Sequence, residues 1–256
     1  LRQMHLLPES EGTRMKDILI GFQSGVHTFE VSQTLTKKQF TVALNLAHAR
    51  GKLIHNKKGQ ESYVLLDQQM PGITVTLYPI HQRRTYRVNI KVEPCRVLGS
   101  DDPTALYQYS KKSFHKLQQL CDRYLEMLCI PGSIETMKVS RCDLTCNLGF
   151  PDQQYVDAYL RILKKSHMIP GYKADIFKTN AKKAKDPNQA NQHSHCIRCK
   201  QASLLCYDKI DQLKMVGRCP HELEDAAILR LEAQLKRPAL KRALGKRALE
   251  DNAALL

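Results

Sequence analysis

The feature that most constrains this chain is an order of elements stated twice: an alternating strand, an amphipathic helix, then several further strands. In the first statement the run 18–33 reads as strand. Thr36 then stands to N-cap a helix with Phe40, Ala43, Leu44 and Ala47 on one face and Gly51 as its stop. Runs 61–66, 73–78 and 85–92 follow as strands, the last alternating β-branched and aromatic residues with polar ones until Pro94. In the second statement 137–147 alternates as a strand, 153–166 buries Val156, Tyr159, Leu160 and Leu163 as a helix, and 174–179, 202–209 and 227–235 supply strands. Between the two, a long helix is expected from Pro103 towards Ile130. Its buried stripe is Leu117, Leu120, Cys121, Tyr124, Leu125 and Leu128, and Pro131 and Gly132 close it.

A repeated order with more strands than helices fits the α+β class: pseudo-duplicated, ferredoxin-like or palm-like antiparallel sheets with helices packed on one face. The junction is expected where Pro94, Gly99, Ser100, Asp101, Asp102 and Pro103 cluster. That divides the chain into an N-terminal half, 15–98, and a C-terminal half, 99–237, which carries the candidate active site. Residues 1–14 read as an unstructured appendage, 180–192 as a mobile loop without apolar periodicity, and 238–256 as a basic helical tail.

Composition enters through charge. Forty Lys and Arg face 25 Asp and Glu, a formal +15 spread along the whole chain. Such an excess favours a polyanionic partner, nucleic acid ahead of an anionic membrane. No window approaches the ~18 apolar residues of a membrane span, so a cytoplasmic protein without a membrane partner is expected. Nine cysteines is an odd number, and several lie in apolar or alternating segments. This fits reduced thiols better than a disulfide framework. The absence of tryptophan argues against a dedicated base-stacking platform.

Three strands of the second half carry residue types that phosphodiester chemistry needs. Alternation in 140–147 puts Cys142, Leu144 and Cys146 on one side and Arg141, Asp143, Thr145 and Asn147 on the other. In 228–235 it puts Leu229, Leu231, Ala233 and Leu235 inside and Arg230, Glu232 and Gln234 outside. Asp143 and Glu232 are therefore expected to project from a face that is not the core. In 203–209, Ser203, Leu205, Tyr207 and Lys209 share a side, aligning a phenol with an ammonium. A phenol titrates near pH 10, so attack on phosphorus needs a cation to stabilise the phenolate, and carboxylates hold hard divalent ions. Asp143 and Glu232 could hold Mg²⁺ or Mn²⁺, Tyr207 could attack, and Lys209 could neutralise developing charge. The bland reading of the same residues is a set of solvated ion pairs and a strand end.

The segments Ser140-Arg141-Cys142-Asp143-Leu144, Leu205-Cys206-Tyr207-Asp208-Lys209 and Leu229-Arg230-Leu231-Glu232-Ala233-Gln234-Leu235-Lys236, in that order, resemble the rolling-circle replication initiation factors of plasmids and phages. The resemblance spans roughly residues 85–240. It implies site-specific nicking of origin DNA through a 5′-phosphotyrosine, a divalent metal, and a helicase and host replication machinery as partners. It also implies single-stranded or cruciform origin DNA as substrate, and a homodimer is allowed for. Asp143 and Glu232 carry over as metal-site residues and Tyr207 as the nucleophile, with Tyr172 and Tyr155 left open. One departure is that Gln212, preceded by Asp211, stands where the family often has Glu.

Two other readings compete. His193, His195, Cys196 and Cys199 have the residue types of a zinc half-site, with only Cys219 and His221 to close it; zinc is the less favoured metal. From a different class, the chain could be a non-catalytic origin or regulatory DNA-binding protein. Lys236, Arg237, Lys241, Arg242, Lys246 and Arg247 would then contact phosphates, and Asp143 and Glu232 would pair with Arg141 and Arg230, which otherwise count with Lys236, Arg237, Lys241 and Arg242 as expected DNA contacts.

Overall fold

Alternation along long strands dictates a sheet with two differently treated faces. The computed structural model of the chain, which describes residues 19–57, 61–80, 85–166, 169–175 and 193–245, is built on one such sheet. The first half contributes β1 (Gly21–Leu35), α1 (Lys37–Arg50), β2 (Lys52–Asn56), β3 (Ser62–Leu66), β4 (Ile73–Ile80) and β5 (Thr85–Val92). A connector with the short α2 (Pro94–Val97) leads to α3 (Lys111–Met127). The second half contributes β6 (Lys138–Phe150), α4 (Gln153–Lys165), β7 (Lys173–Asp175), β8 (Ser194–Arg198), β9 (Ala202–Asp208), α5 (Lys209–Met215), β10 (Ala227–Lys236) and α6 (Arg237–Leu244). All ten strands form one antiparallel sheet in the order β2-β3-β4-β5-β1-β6-β10-β9-β8-β7.

The long strands β1 and β6 pair at the centre, from Gly21 opposite Gly149 to Ser32 opposite Lys138, so the two halves share a single sheet. One face is the main core: Val31, Val75, Val88 and Ile90 meet Phe40, Ala43 and Ala47 of α1 and Leu117, Cys121, Tyr124 and Leu125 of α3. A smaller cluster under α4 joins Phe150, Val156, Leu160 and Leu229. All nine cysteines are free thiols. No helix among the described residues is long and apolar enough to cross a membrane.

Local chemistry explains where the expected elements hold and where they move. Thr36 caps α1 as expected, its hydroxyl accepting from the Gln39 amide while the Gln39 side chain accepts from the Thr36 amide. The helix expected from Pro103 instead starts at Lys111, because Ser110 and Ser113 form the same reciprocal box there. The freed residues before it lie against β1, where Val26 and Tyr107 exchange both backbone hydrogen bonds at 3.0 Å. His193 leads into β8, and Ser194 and His195 form its start. The strand expected to reach Lys209 ends at Asp208, whose carboxylate caps α5. Residues 1–14, the proposed mobile loop 180–192 and the end of the basic tail lie outside the described residues.

Candidate active site

The polar residues of β6, β9 and β10 do share one face, but that face is not open. Asp143 is 2% exposed and Arg230 0%, while Leu144, assigned to the core by its apolar character, is 43% exposed. The inversion has a physical cause in the connector. Gly25 sits on the polar face of β1 opposite Thr145, and a Cβ there would come within 2.4 Å of the Tyr107 carbonyl oxygen. Glycine lets the connector press down, as a strand glycine does where another backbone approaches closely. The Thr104 carbonyl then accepts from Asn147 Nδ2 at 2.7 Å and from an Arg230 terminal nitrogen at 2.9 Å, while Arg230 Nε donates to Asn147 Oδ1 at 2.8 Å.

Beneath this cover the register assembles a cluster. Glu232 stands opposite Thr145 on β6 and Leu205 on β9; Gln234 stands opposite Asp143, and Arg230 opposite Tyr207. Asp143 and Glu232 are therefore diagonal neighbours on one face, within side-chain reach. A β-bulge between Val26 and Thr28 makes His27 an extra residue in β1 and turns it onto the same face. His27, Asp143 and Glu232 bring ligand atoms within 4.8 Å of one another, the one such group of three among the described residues. Tyr207 donates its phenolic hydrogen to Glu232 Oε2 at 3.2 Å, Gln234 donates to Glu232 Oε1 at 2.7 Å, and His27 Nδ1 lies 3.8 Å from Glu232 Oε2. Arg141 grips both Asp143 oxygens at 2.6 Å and reaches Glu30 at 3.3 Å.

Burial sets the electrostatics. Desolvation, outweighing the pull of Arg141, raises the Asp143 carboxyl to about 6. It lowers His27 to about 4, with Arg230 adding to the effect, and drives the Tyr207 phenol well above its ordinary range, where Glu232 also holds it. Lys209, the first residue of α5, is 5% exposed, and burial with repulsion from Arg230 brings its ammonium down to about 7. Its Nζ donates to Gln212 Oε1 at 2.9 Å, which gives that glutamine a neutral supporting role. Lys209 and His27 border a cleft of about 470 Å³ that Glu93, Asp101, Asp102 and Gln212 also line.

The donor set bears on which cation the cluster could hold. Two carboxylates and an imidazole suit Mg²⁺ or, with the nitrogen ligand, Mn²⁺ better than a soft metal. The Thr145 hydroxyl, directly across from Glu232, is buried without a hydrogen-bond partner and adds a further oxygen donor to the same spot. The zinc candidates form no such group of three among the described residues. His195 and Cys196 are adjacent in β8 and face opposite ways, Cys196 packing with Leu205 and Tyr207.

The remaining sequence candidates divide. Arg230, expected at the nucleic-acid surface, is 0% exposed and braces the cover through Asn147 and the Thr104 carbonyl. Lys236, Lys241 and Arg242 are exposed and Arg237 is half-buried at the end of β10 and on α6. Of the tyrosines left open, Tyr155 of α4 stacks on Phe150, and Tyr172 lies beside Cys199. His27 was missed because strict alternation groups it with Phe29 and Val31 on the core side. The signal was Gly25 two residues earlier, since glycine inside a strand often marks a bulge.

No protein-family model matches the chain, and no curated protein does. Among solved structures, the rolling circle replication initiator protein from Geobacillus stearothermophilus is similar at TM-score 0.37 and 12% identity, over 84% of this chain and 75% of that one. A likeness of that degree assigns no activity to this chain.

Proposed function

We propose that this protein is a rolling-circle replication initiator that nicks and rejoins one DNA strand through a 5′-phosphotyrosine. The observation that carries the reading is the Tyr207 hydroxyl bonded to Glu232 inside a His-Asp-Glu cluster. We read the matching strand orders on either side of the β1–β6 seam as a pseudo-duplicated, palm-like sheet with the site at the seam.

His27, Asp143 and Glu232 would hold Mg²⁺ or Mn²⁺, which when bound polarises the scissile phosphate. Glu232 orients the phenol and takes its proton as the Tyr207 oxygen bonds to phosphorus. The bond from phosphorus to the 3′ oxygen breaks, and Lys209, with its ammonium near pH 7, gives that oxygen a proton. Arg141 bridges Asp143 and Glu30 and fixes the carboxylate's orientation. The phosphodiester energy stays in the tyrosyl ester, so rejoining reverses these steps without ATP. Single-stranded or cruciform origin DNA, a helicase with the host replication machinery, and a homodimer belong to the same proposal.

A second reading rests on the same burial. If Arg141 and Gln234 permanently satisfy Asp143 and Glu232, the cluster is a closed polar core and the chain binds origin or regulatory DNA without cutting it. Incubation with labelled single-stranded DNA carrying the element's origin, in Mn²⁺ or EDTA, separates the two on a denaturing gel. A metal-dependent, protease-sensitive adduct that vanishes in Tyr207→Phe is the expected result. An adduct that survives Tyr207→Phe moves the nucleophile to another tyrosine. Retained binding with no adduct leaves the second reading.

A further inference from the structure

Beside the cluster, the same sheet face continues onto the N-terminal half with no cover among the described residues. Two adjoining hollows of about 840 and 310 Å³ share Arg87, Ser140 and Lys236 in their walls. The first reaches Lys138 and Arg237; the second ends at Arg141, the residue that grips Asp143. Five residues of β6 separate Lys138 from Asp143, about 17 Å at ~3.3 Å per residue, so the hollows form one groove leading to the cluster.

Three of the groove's cations are held by neutral groups. An Arg87 terminal nitrogen donates to the Ser32 hydroxyl at 2.9 Å, Lys236 Nζ to the Lys200 carbonyl at 3.2 Å, and Arg237 to the Val139 carbonyl at 3.0 Å. Among the described residues Glu30 is the one carboxylate in the walls, and Arg141 takes it. On the floor, half-buried Tyr78 offers a ring to a base, while Leu66 is 43% exposed at a neighbouring strand of the same sheet face. Cations along the walls with an aromatic on the floor fit an unpaired strand, whose phosphates and base faces are both accessible.

We propose that this groove binds single-stranded DNA and delivers it to the cluster, with Arg87 of β5 and Lys138 of β6, on either side of β1, contacting phosphates. The inference rests on the nicking reading for its direction, but not for the binding itself. Losing two phosphate contacts to a single strand removes ~1.4 from the slope of log affinity against log salt, which is roughly 25-fold in affinity at 0.1 M salt relative to 1 M.

The test is fluorescence anisotropy of a labelled 20-nucleotide single strand in EDTA across a salt series. It compares the wild type, Arg87→Ala/Lys138→Ala and, as a control of equal charge change, Lys111→Ala/Lys112→Ala at the exposed start of α3. The groove variant is expected to bind 10- to 30-fold more weakly at 0.1 M salt with the shallower slope, and the control within twofold of wild type. Melting temperatures within 2–3 °C of wild type, about the shift from a sub-kcal/mol change, exclude misfolding; a variant that melts lower is replaced by Arg87→Gln/Lys138→Gln. Equal loss in both variants, no loss in the groove variant, or a duplex whose binding alone depends on Arg87 and Lys138 would overturn the proposal. Groove-dependent binding without any Mn²⁺-dependent adduct would leave the groove standing and remove the nicking reading. Strong wild-type binding and an adduct that ignore the groove would do the reverse.

Discussion

Replacing Lys209 with methionine removes a cation that the fold holds at a disadvantage. The residue is 5% exposed, and burial depresses its ammonium from 10.5 to about 7. Below pH 7 the lysine is protonated in both folded and unfolded chains, and the folded chain bears the full penalty of a buried charge. Between pH 7 and 10.5 the unfolded chain binds a proton that the folded chain lacks, so stability rises with pH. At about 1.4 kcal/mol per pH unit the full depression corresponds to roughly 5 kcal/mol. Methionine keeps the apolar stem but loses the bond to Gln212, worth on the order of 1 kcal/mol. Lys209→Met is therefore expected to be more stable than wild type by about 3 kcal/mol at pH 7, with the gap closing by about 1.4 kcal/mol per pH unit above that. Urea unfolding in EDTA at pH 6, 7, 8 and 8.5 measures it. Cys121, Cys142 and Cys206, whose thiols burial raises, work in the opposite direction near pH 9, but they are common to both proteins and cancel in the difference. A variant less stable than wild type by an amount constant from pH 6 to 8.5 would show that Lys209 is a satisfied cation and refute the reasoning.

Glu232→Gln should abolish the rise in melting temperature that Mn²⁺ gives the wild type and reduce adduct formation at least 100-fold, read by differential scanning fluorimetry and the gel assay. Because Asp143 titrates at about 6, Mn²⁺ affinity should fall as pH drops through 6, about tenfold per unit below it; calorimetric titration at pH 7.5 and 5 checks this, and equal affinities would remove Asp143 from the ligand set. Arg230→Met should destabilise the protein by about 2–4 kcal/mol by denaturant unfolding, since Asn147 and the Thr104 carbonyl lose a buried charged donor. Gly25→Ala places a methyl against the Tyr107 carbonyl and should raise hydrogen exchange at Val26 and Tyr107 while costing about 1–3 kcal/mol.

Local signals were legible wherever local chemistry decides the outcome. The run 85–92 is β5 to the residue, because Pro94 and the alternation bound it on short range. The polar sides of β6, β9 and β10 were also legible, since a period of two leaves no freedom once the strand is known. Their burial was not: it depends on residues 103–107 crossing β1 at Gly25, a contact between segments about eighty positions apart in sequence. The helical character of the apolar stripe in α3 ran backwards into that segment, and only the Ser110–Ser113 box marks the true start. His27 escaped for a similar reason. A bulge is a property of two strands in register, and its partner strand, β6, lies more than a hundred residues away.

The division into two halves therefore breaks down at the site. His27 and Gly25 belong to the first half, while Asp143, Tyr207, Glu232 and the covering residues Thr104 and Tyr107 belong to the second. A fragment of the second half alone would leave β6, now paired on both sides, as an edge strand with Asp143 and Arg141 near an open ladder. Such an edge invites pairing with another chain, and the carboxylates would regain water. Asp143 should then titrate near its ordinary range instead of at about 6. The raised Asp143 carboxyl is a property of the seam, because burial of β6 between β1 and β10 is what outweighs the pull of Arg141.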